Sequence, residues 1–412
     1  MPTATSVPRV ADDEAPFILS WPPFHRYAHG GPKRLTVSRP THIYVHFPFC
    51  RFRCPFCLFK VETPPKRNRI TSYLTALWSQ IEVASEFIDF SAARELRSIY
   101  FGGGTPSLLS APDVSRTIQA VSELGLSDPR EITLEVEPGT ASQADLSSFV
   151  EAGVTRFSIG VQTFSDSLLK TTRHHSADTA ERTIRAALDS GVKEVNVDLM
   201  AGLRGQSTED LVDSVHRAVQ ANPTEVTVYR LASPRNTIWA REGYRPSHTL
   251  VQAMYSEADS LLLDRGFLPK TTFTYSRGGE QSYPTGWWSG DELIGLGNSA
   301  YGFVGGTAYQ VEPRIDDFIR SDDGTSMKIL RFSELSPIDQ ARRELVLGLQ
   351  LQRLPMTVTS RLGRIGDWLG AELPSDFIRN GSEGSELSPK GRAEMPFWLA
   401  SRIDELVAQE AR

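Results

Sequence analysis

The 412-residue chain has only three cysteines, Cys50, Cys54 and Cys57. All lie within eight residues, which excludes a disulfide framework and points to a reducing, cytoplasmic setting and one dedicated use of the thiols. Basic residues are also in short supply, 44 Lys and Arg against 50 Asp and Glu, for a net charge of -6. A nucleic-acid partner, which would call for a basic surface, is therefore not expected. No apolar run reaches 18 residues, so no membrane span is expected. The first 40 residues lack a basic start followed by an apolar block, and no secretory leader is expected there. They hold seven prolines and read as an extended arm.

What is present is a strand–helix alternation beginning at Thr41. Apolar, β-branched runs occur at 42–47 (in THIYVHF), 98–101 (SIYF), 132–136 (ITLEV), 156–161 (RFSIGV), 194–200 (EVNVDLM) and 225–231 (EVTVYRL). Such runs suit buried parallel strands. Between them, apolar residues recur at helical spacing: Tyr73, Leu74, Leu77, Ile81 and Ala84; Val114, Ile118, Val121 and Leu124; Leu211, Val215 and Val219. Asp113, Ser142 and Thr208 are candidates for helix caps or first-turn residues.

Six β–α repeats predict an α/β fold, a partial (β/α)6 TIM-like barrel, with a doubly wound sheet as the alternative. The predicted organisation is an N-terminal arm (1–40), the barrel core (41–240), a Gly- and aromatic-rich extension completing it (241–312) and a smaller, mainly helical C-terminal domain (313–412), whose last clear helix is 397–409. In barrels of this kind chemistry gathers at the C-terminal ends of the strands, so the motifs should fall there.

They do. The first strand runs into HFPFCRFRCPFCLF, with thiols spaced Cys-x3-Cys-x2-Cys. That spacing lets one loop wrap a cuboidal iron–sulfur cluster. Three thiolates leave one iron open, the mark of a reactive site. A structural zinc site would need a fourth ligand, for which His46 is the candidate. Gly102-Gly103-Gly104-Thr105-Pro106 follows the second strand, where glycines let backbone N–H groups approach a ligand closely. Glu135 ends the third strand, Gln162 the fourth, and Asp198 interrupts the apolar fifth, where an unpaired charge is costly.

Taken together, YVHFPFCRFRCPFC and these strand-end motifs resemble the radical S-adenosylmethionine (SAM) superfamily, in its oxygen-independent coproporphyrinogen III oxidase-like branch, from about Thr41 to the C-terminus. The resemblance implies a [4Fe–4S] cluster on Cys50, Cys54 and Cys57 and two SAM molecules. It implies that Tyr44, Gly103, Gly104, Thr105 and Glu135 serve the first SAM, and that Gln162, Arg173, Asp198 and the backbone of Ala232 serve the second; Phe56, between the last two cysteines, is placed either to flank the adenine of SAM or to shield the cluster. Arg173 lies one residue closer to Gln162 than the family pattern, and His174 takes the expected offset.

Three departures from that branch bear on function. The fourth cysteine of the coproporphyrinogen oxidases is Phe59 here. The His-Asn-x-x-Tyr-Trp signature of the family's haem chaperones corresponds to Tyr283-Pro284-Thr285-Gly286-Trp287-Trp288, and Leu58-Phe59 replaces the chaperones' Asp-Phe. What remains resembles the class C radical SAM methyltransferases and their cyclopropane-forming relatives, which are natural-product enzymes. The resemblance implies that a 5′-deoxyadenosyl radical from the first SAM takes hydrogen from the methyl group of the second. That carbon then adds to an sp2 carbon of a small-molecule or peptide-borne heteroaromatic substrate, with a flavodoxin or ferredoxin as reductant. Tyr229, Tyr283 and His174 are the foremost candidates for the proton relay such a reaction needs, with Tyr301 and His175 behind them. The alternatives are an anaerobic haem or porphyrin enzyme and a haem chaperone.

Overall fold

The computed structural model describes residues 22, 26–32, 34–231, 236–278, 283–320, 326–351, 373–381, 384–392, 394, 395 and 398. The six expected strands are β1 (Thr41–Phe47), β2 (Leu96–Gly103), β3 (Glu131–Val136), β4 (Arg156–Gln162), β5 (Glu194–Ala201) and β6 (Glu225–Arg230). Each is parallel to the next, in chain order. The order never reverses across these six, so the doubly wound alternative, which needs a switch point between them, does not apply. Their neighbours are β7 (Thr274–Ser276), antiparallel on β6, and β8 (Glu292–Leu296), parallel on the free side of β1. Antiparallel β9 (Tyr301–Val304), β10 (Thr307–Val311) and β11 (Ile329–Glu334) extend that flank. With the two-residue strands Ala28–His29 and Leu268–Pro269 at its edges, the sheet has 13 strands in linear order among the described residues, with no pairing that closes it there.

The connecting helices are α1 (Arg67–Glu82), α2 (Ala111–Ser122), α3 (Gln143–Glu151), α4 (Ala177–Asp189), α5 (Thr208–Gln220) and α6 (His248–Asp264). Their apolar stripes are buried as the spacing requires: Tyr73, Leu74, Leu77 and Ile81 on α1, and Leu211, Val215 and Val219 on α5. Three helices begin with reciprocal capping boxes, Ser110 with Asp113, Ser142 with Asp145 and Ser207 with Asp210. Each pair satisfies two otherwise orphaned N–H groups. Ser142 is a cap, as anticipated; Asp113 is the partner in its box, and Thr208 is the residue after the true cap, Ser207.

The described residues of 313–412 hold both helix and strand. α8 (Pro337–Gln350) is helical, after the short α7 (Tyr283–Trp288). But β11 continues the main sheet, and Ile378–Gly381 pairs with Gly384–Leu387 as a hairpin. The alternating pattern of ILRFSE finds hydrogen-bond partners on β10, which overrides a helical reading. The expected helix 397–409 lies outside the described residues except for Trp398.

Candidate cofactor and active site

The core strands are buried along almost their whole length; β1, for example, is exposed to any degree only at Tyr44. A partly or fully open residue stands on each core strand: Tyr44 on β1, Tyr100 on β2, Glu135 on β3, Gly160 on β4, Asp198 on β5 and Tyr229 on β6, stepping along the strands from one to the next. Register links them. Tyr44 sits opposite Tyr100, Glu135 opposite Ser158, and Gly160 opposite Asp198. A continuous strip of partly open residues thus lines the hollow of the curved sheet, just below the strand ends that carry the cysteine loop and the glycine run.

The cysteine loop is pinned on both sides. Cys50 N–H donates to Glu62 O (3.2 Å), Glu62 N–H to Pro48 O (2.8 Å), and Gly104 and Thr105 N–H to Phe47 and Phe49 O (2.7 and 2.8 Å). The glycines are required by contact. A Cβ on Gly104 would come within 2.6 Å of Phe49 O, and Gly103, at φ 109°, faces the His46 ring. The three thiols lie near enough to influence one another, and burial, foremost, pushes the Cys50 thiol up to about 12. Binding as thiolates therefore calls for a strong Lewis acid, which cluster iron provides. Among the described residues, no three His, Cys, Asp or Glu side chains converge on one ion position. His46 Nδ1 pairs with the Tyr44 hydroxyl (3.1 Å), and burial lowers the ring to about 4. Three thiols spread over one loop fit a cluster whose irons each take one sulfur.

Two polar groupings flank this loop. In the first, Glu135 accepts from Tyr100 Oη (2.9 Å) and Gly103 N–H (3.0 Å). Protein rings its carboxyl although part of its surface faces the hollow. Desolvation, first, and then the charge of Asp198 raise it to about 7 against the hydrogen bonds that oppose the shift. Thr105 Oγ1 stands between Cys50 Sγ (3.4 Å) and Glu137 Oε2 (3.2 Å).

In the second, Asp198 accepts from Ser158 Oγ (2.9 Å) and Asn196 Nδ2 (2.7 Å), and desolvation raises it to about 6. Asn196 is held in turn by Thr227 (2.9 Å), so a buried network sets the Asp198 rotamer. Gln162 has φ 70°, unusual outside glycine, at a register shift between β4 and β5. Arg173 directly follows the helix Asp166–Thr172 in extended backbone, which turns its side chain inward. It sits 3.8 Å from Glu137, with its Cζ 5.6 Å from the centre of the Phe56 ring. Gly160 leaves the room it occupies, since a Cβ there would meet Arg173 Nη2 at 3.1 Å. Gln162 Oε1 and Arg173 Nε are buried with no hydrogen-bond partner.

Of the remaining candidates, His174 turns the other way and stacks on the exposed Phe52 at 3.8 Å, outside the hollow. Tyr229 is 42% exposed and feels the charges of Asp198 and Glu135 through space. Tyr283 stacks on Tyr100 at 4.5 Å and reaches Tyr44 at 6.5 Å and Trp287 at 6.4 Å, forming an aromatic wall. Tyr301 lies on β9, bonded to Gln310. Ala232 lies outside the described residues. Sequence reasoning missed Tyr100, Ser158, Asn196 and Gly160 as parts of the site; period-two alternation with Glu135 and Asp198 across neighbouring strands was the available signal.

Comparison with known proteins identifies the family and the fold. Residues 44–218 match the family model for the radical SAM superfamily. The heme chaperone HemW of Mycobacterium tuberculosis (strain ATCC 25618 / H37Rv) is 30% identical over 337 residues, 79% of this chain and 85% of that one. That of Escherichia coli (strain K12) is 32% identical over 269 residues, 64% of this chain and 70% of the relative. The structure of coproporphyrinogen III oxidase (HemN) from Escherichia coli superposes with a TM-score of 0.77 at 20% identity, covering 93% of this chain and 96% of that one, which shows the shared fold. The chain belongs to the radical SAM superfamily, in its HemN/HemW-like branch.

Proposed function

We propose that the protein cleaves SAM reductively and directs the radical to a carbon unit of a second SAM held at Gln162, Arg173 and Asp198, for transfer to a flat, unsaturated substrate. The observation that carries this is the pair of orphaned polar atoms, Gln162 Oε1 and Arg173 Nε. Buried polar groups without partners are costly unless a ligand supplies them. A cluster on Cys50, Cys54 and Cys57 supplies the cleaving electron when bound. Glu135 and the glycine run orient the first SAM. The Arg173 fork suits the carboxylate of the second, with Asp198 on its opposite side. The Tyr44–Tyr100–Tyr283 wall offers a stacking face for a ring and excludes water from the radical. Tyr229, open to the hollow beside Asp198, is the proton-relay candidate that this geometry favours over His174.

A haem-related role is the second reading, and the comparisons weigh more for it than for methyl transfer, because the relatives are named heme chaperones. The residues count against it. The position matched to the chaperones' signature histidine is Tyr283, whose ring is engaged in the aromatic stack. Equilibrium binding of SAM and of haem to the anaerobically reconstituted protein tests the two readings. Two SAM per chain, falling to one in Arg173→Met, with weak haem binding, is the expected result. Tight stoichiometric haem binding with one SAM would overturn the proposal in favour of the second reading.

A further inference from the structure

A separate cavity of about 320 Å³ lies at the opposite end of the sheet strands, between the segment before β1, the β9–β10 turn and α8. Its inner wall carries Arg343, which is 3% exposed. The guanidinium sits over Phe303, with Cζ 3.8 Å from the ring centre, and 5.8 Å from Trp287. Stacking of this kind holds the plane and leaves the edge donors free. Among the described residues no group accepts a hydrogen bond from it. Its nearest acidic neighbours, the Tyr27 hydroxyl and Glu344, act on it only through space, and burial, foremost, lowers it to about 9.

Arg39 stands at the mouth, its side chain 48% exposed, with Nη1 donating to Gly290 O (3.0 Å). The two carboxylates of the lining are already engaged. Glu292 takes Ser38 N–H (3.0 Å), Ser38 Oγ (3.2 Å) and Gly305 N–H (3.0 Å), and Glu344 faces Arg39 at 3.4 Å. A buried cation with no acceptor is destabilising. This one lines a cavity with a second arginine at its entrance and Thr36 and Ser38 among its lining.

We propose that this cavity is a binding site for a small oxyanion, a carboxylate or phosphate group, gripped between Arg343 and Arg39. It is distinct from the SAM hollow and from the substrate reading above.

The test is thermal unfolding of the full chain in phosphate, in acetate and in chloride at matched ionic strength, followed by calorimetric titration of phosphate. The wild type is expected to gain about 2 °C in whichever oxyanion fits, phosphate or acetate. Arg343→Met, freed of an unpaired buried charge, is expected to melt no lower than wild type in chloride and to lose the gain. Arg39→Gln, altered at the mouth, is expected to keep the chloride Tm and bind several-fold more weakly. A wild type indifferent to both anions, or variants that respond as it does, would overturn the site. Should Arg343→Met not fold, an unweakened response in Arg39→Gln would overturn it as well.

Discussion

Glu135 and Asp198 show what burial does to single residues here. Both carboxyls are raised, to about 7 and about 6, chiefly by desolvation. A raised carboxyl binds its proton more tightly folded than unfolded. Its cost to stability is therefore absent below the unfolded value and grows as pH climbs to the folded one. The contribution of these two carboxyls in the ligand-free protein is expected to turn against stability as pH rises from about 4 to about 7, while the lowered His46 works in the opposite sense. Glu135→Gln should flatten part of that slope in denaturant titrations at several pH values. The same variant should lose SAM affinity while binding iron normally, which iron analysis and equilibrium dialysis read separately. The carboxylates were legible in the sequence because a charge inside an apolar strand stands out. Arg173 was ambiguous against His174, since spacing alone does not reveal that extended backbone after the helix sends adjacent side chains opposite ways. The partners that fix these groups, Tyr100, Ser158 and Asn196, are ordinary strand residues until register brings them across.

At the scale of elements, the strands were legible within a residue or two because buried parallel strands are continuous apolar runs. Three helix starts were legible from Asp113, Ser142 and Thr208, of which Ser142 is the cap and the other two are first-turn residues. Ser207→Ala removes one of two reciprocal bonds at the start of α5 and is expected to cost about 1 kcal/mol. It should be seen as a lower urea midpoint at unchanged slope. The C-terminal strands escaped the sequence because β11 is a strand only by pairing with β10, a contact that local spacing does not encode.

Across the whole molecule, the open sheet is tied inside by Arg156, whose Nη2 meets Glu225 at 2.7 Å with their side chains 5% and 1% exposed. Breaking this pair with Arg156→Met takes the arginine's charge away from the buried Glu225 carboxylate and from Glu194 at 3.9 Å, and is expected to cost about 3–5 kcal/mol. Changing both residues to methionine should recover much of that loss, and chemical denaturation of the three proteins checks it. The same sheet brings the cysteine loop, the Glu135 grouping and the Gln162–Arg173–Asp198 grouping to one end, so two ligands can meet over one hollow. Reconstitution with reductant and SAM bearing a fully deuterated methyl group, followed by mass spectrometry of the 5′-deoxyadenosine, tests that arrangement most directly. One deuterium gained in the wild type and lost in Arg173→Met is the expected result. 5′-Deoxyadenosine that stays free of deuterium, even with heteroaromatic acceptors present, would contradict it.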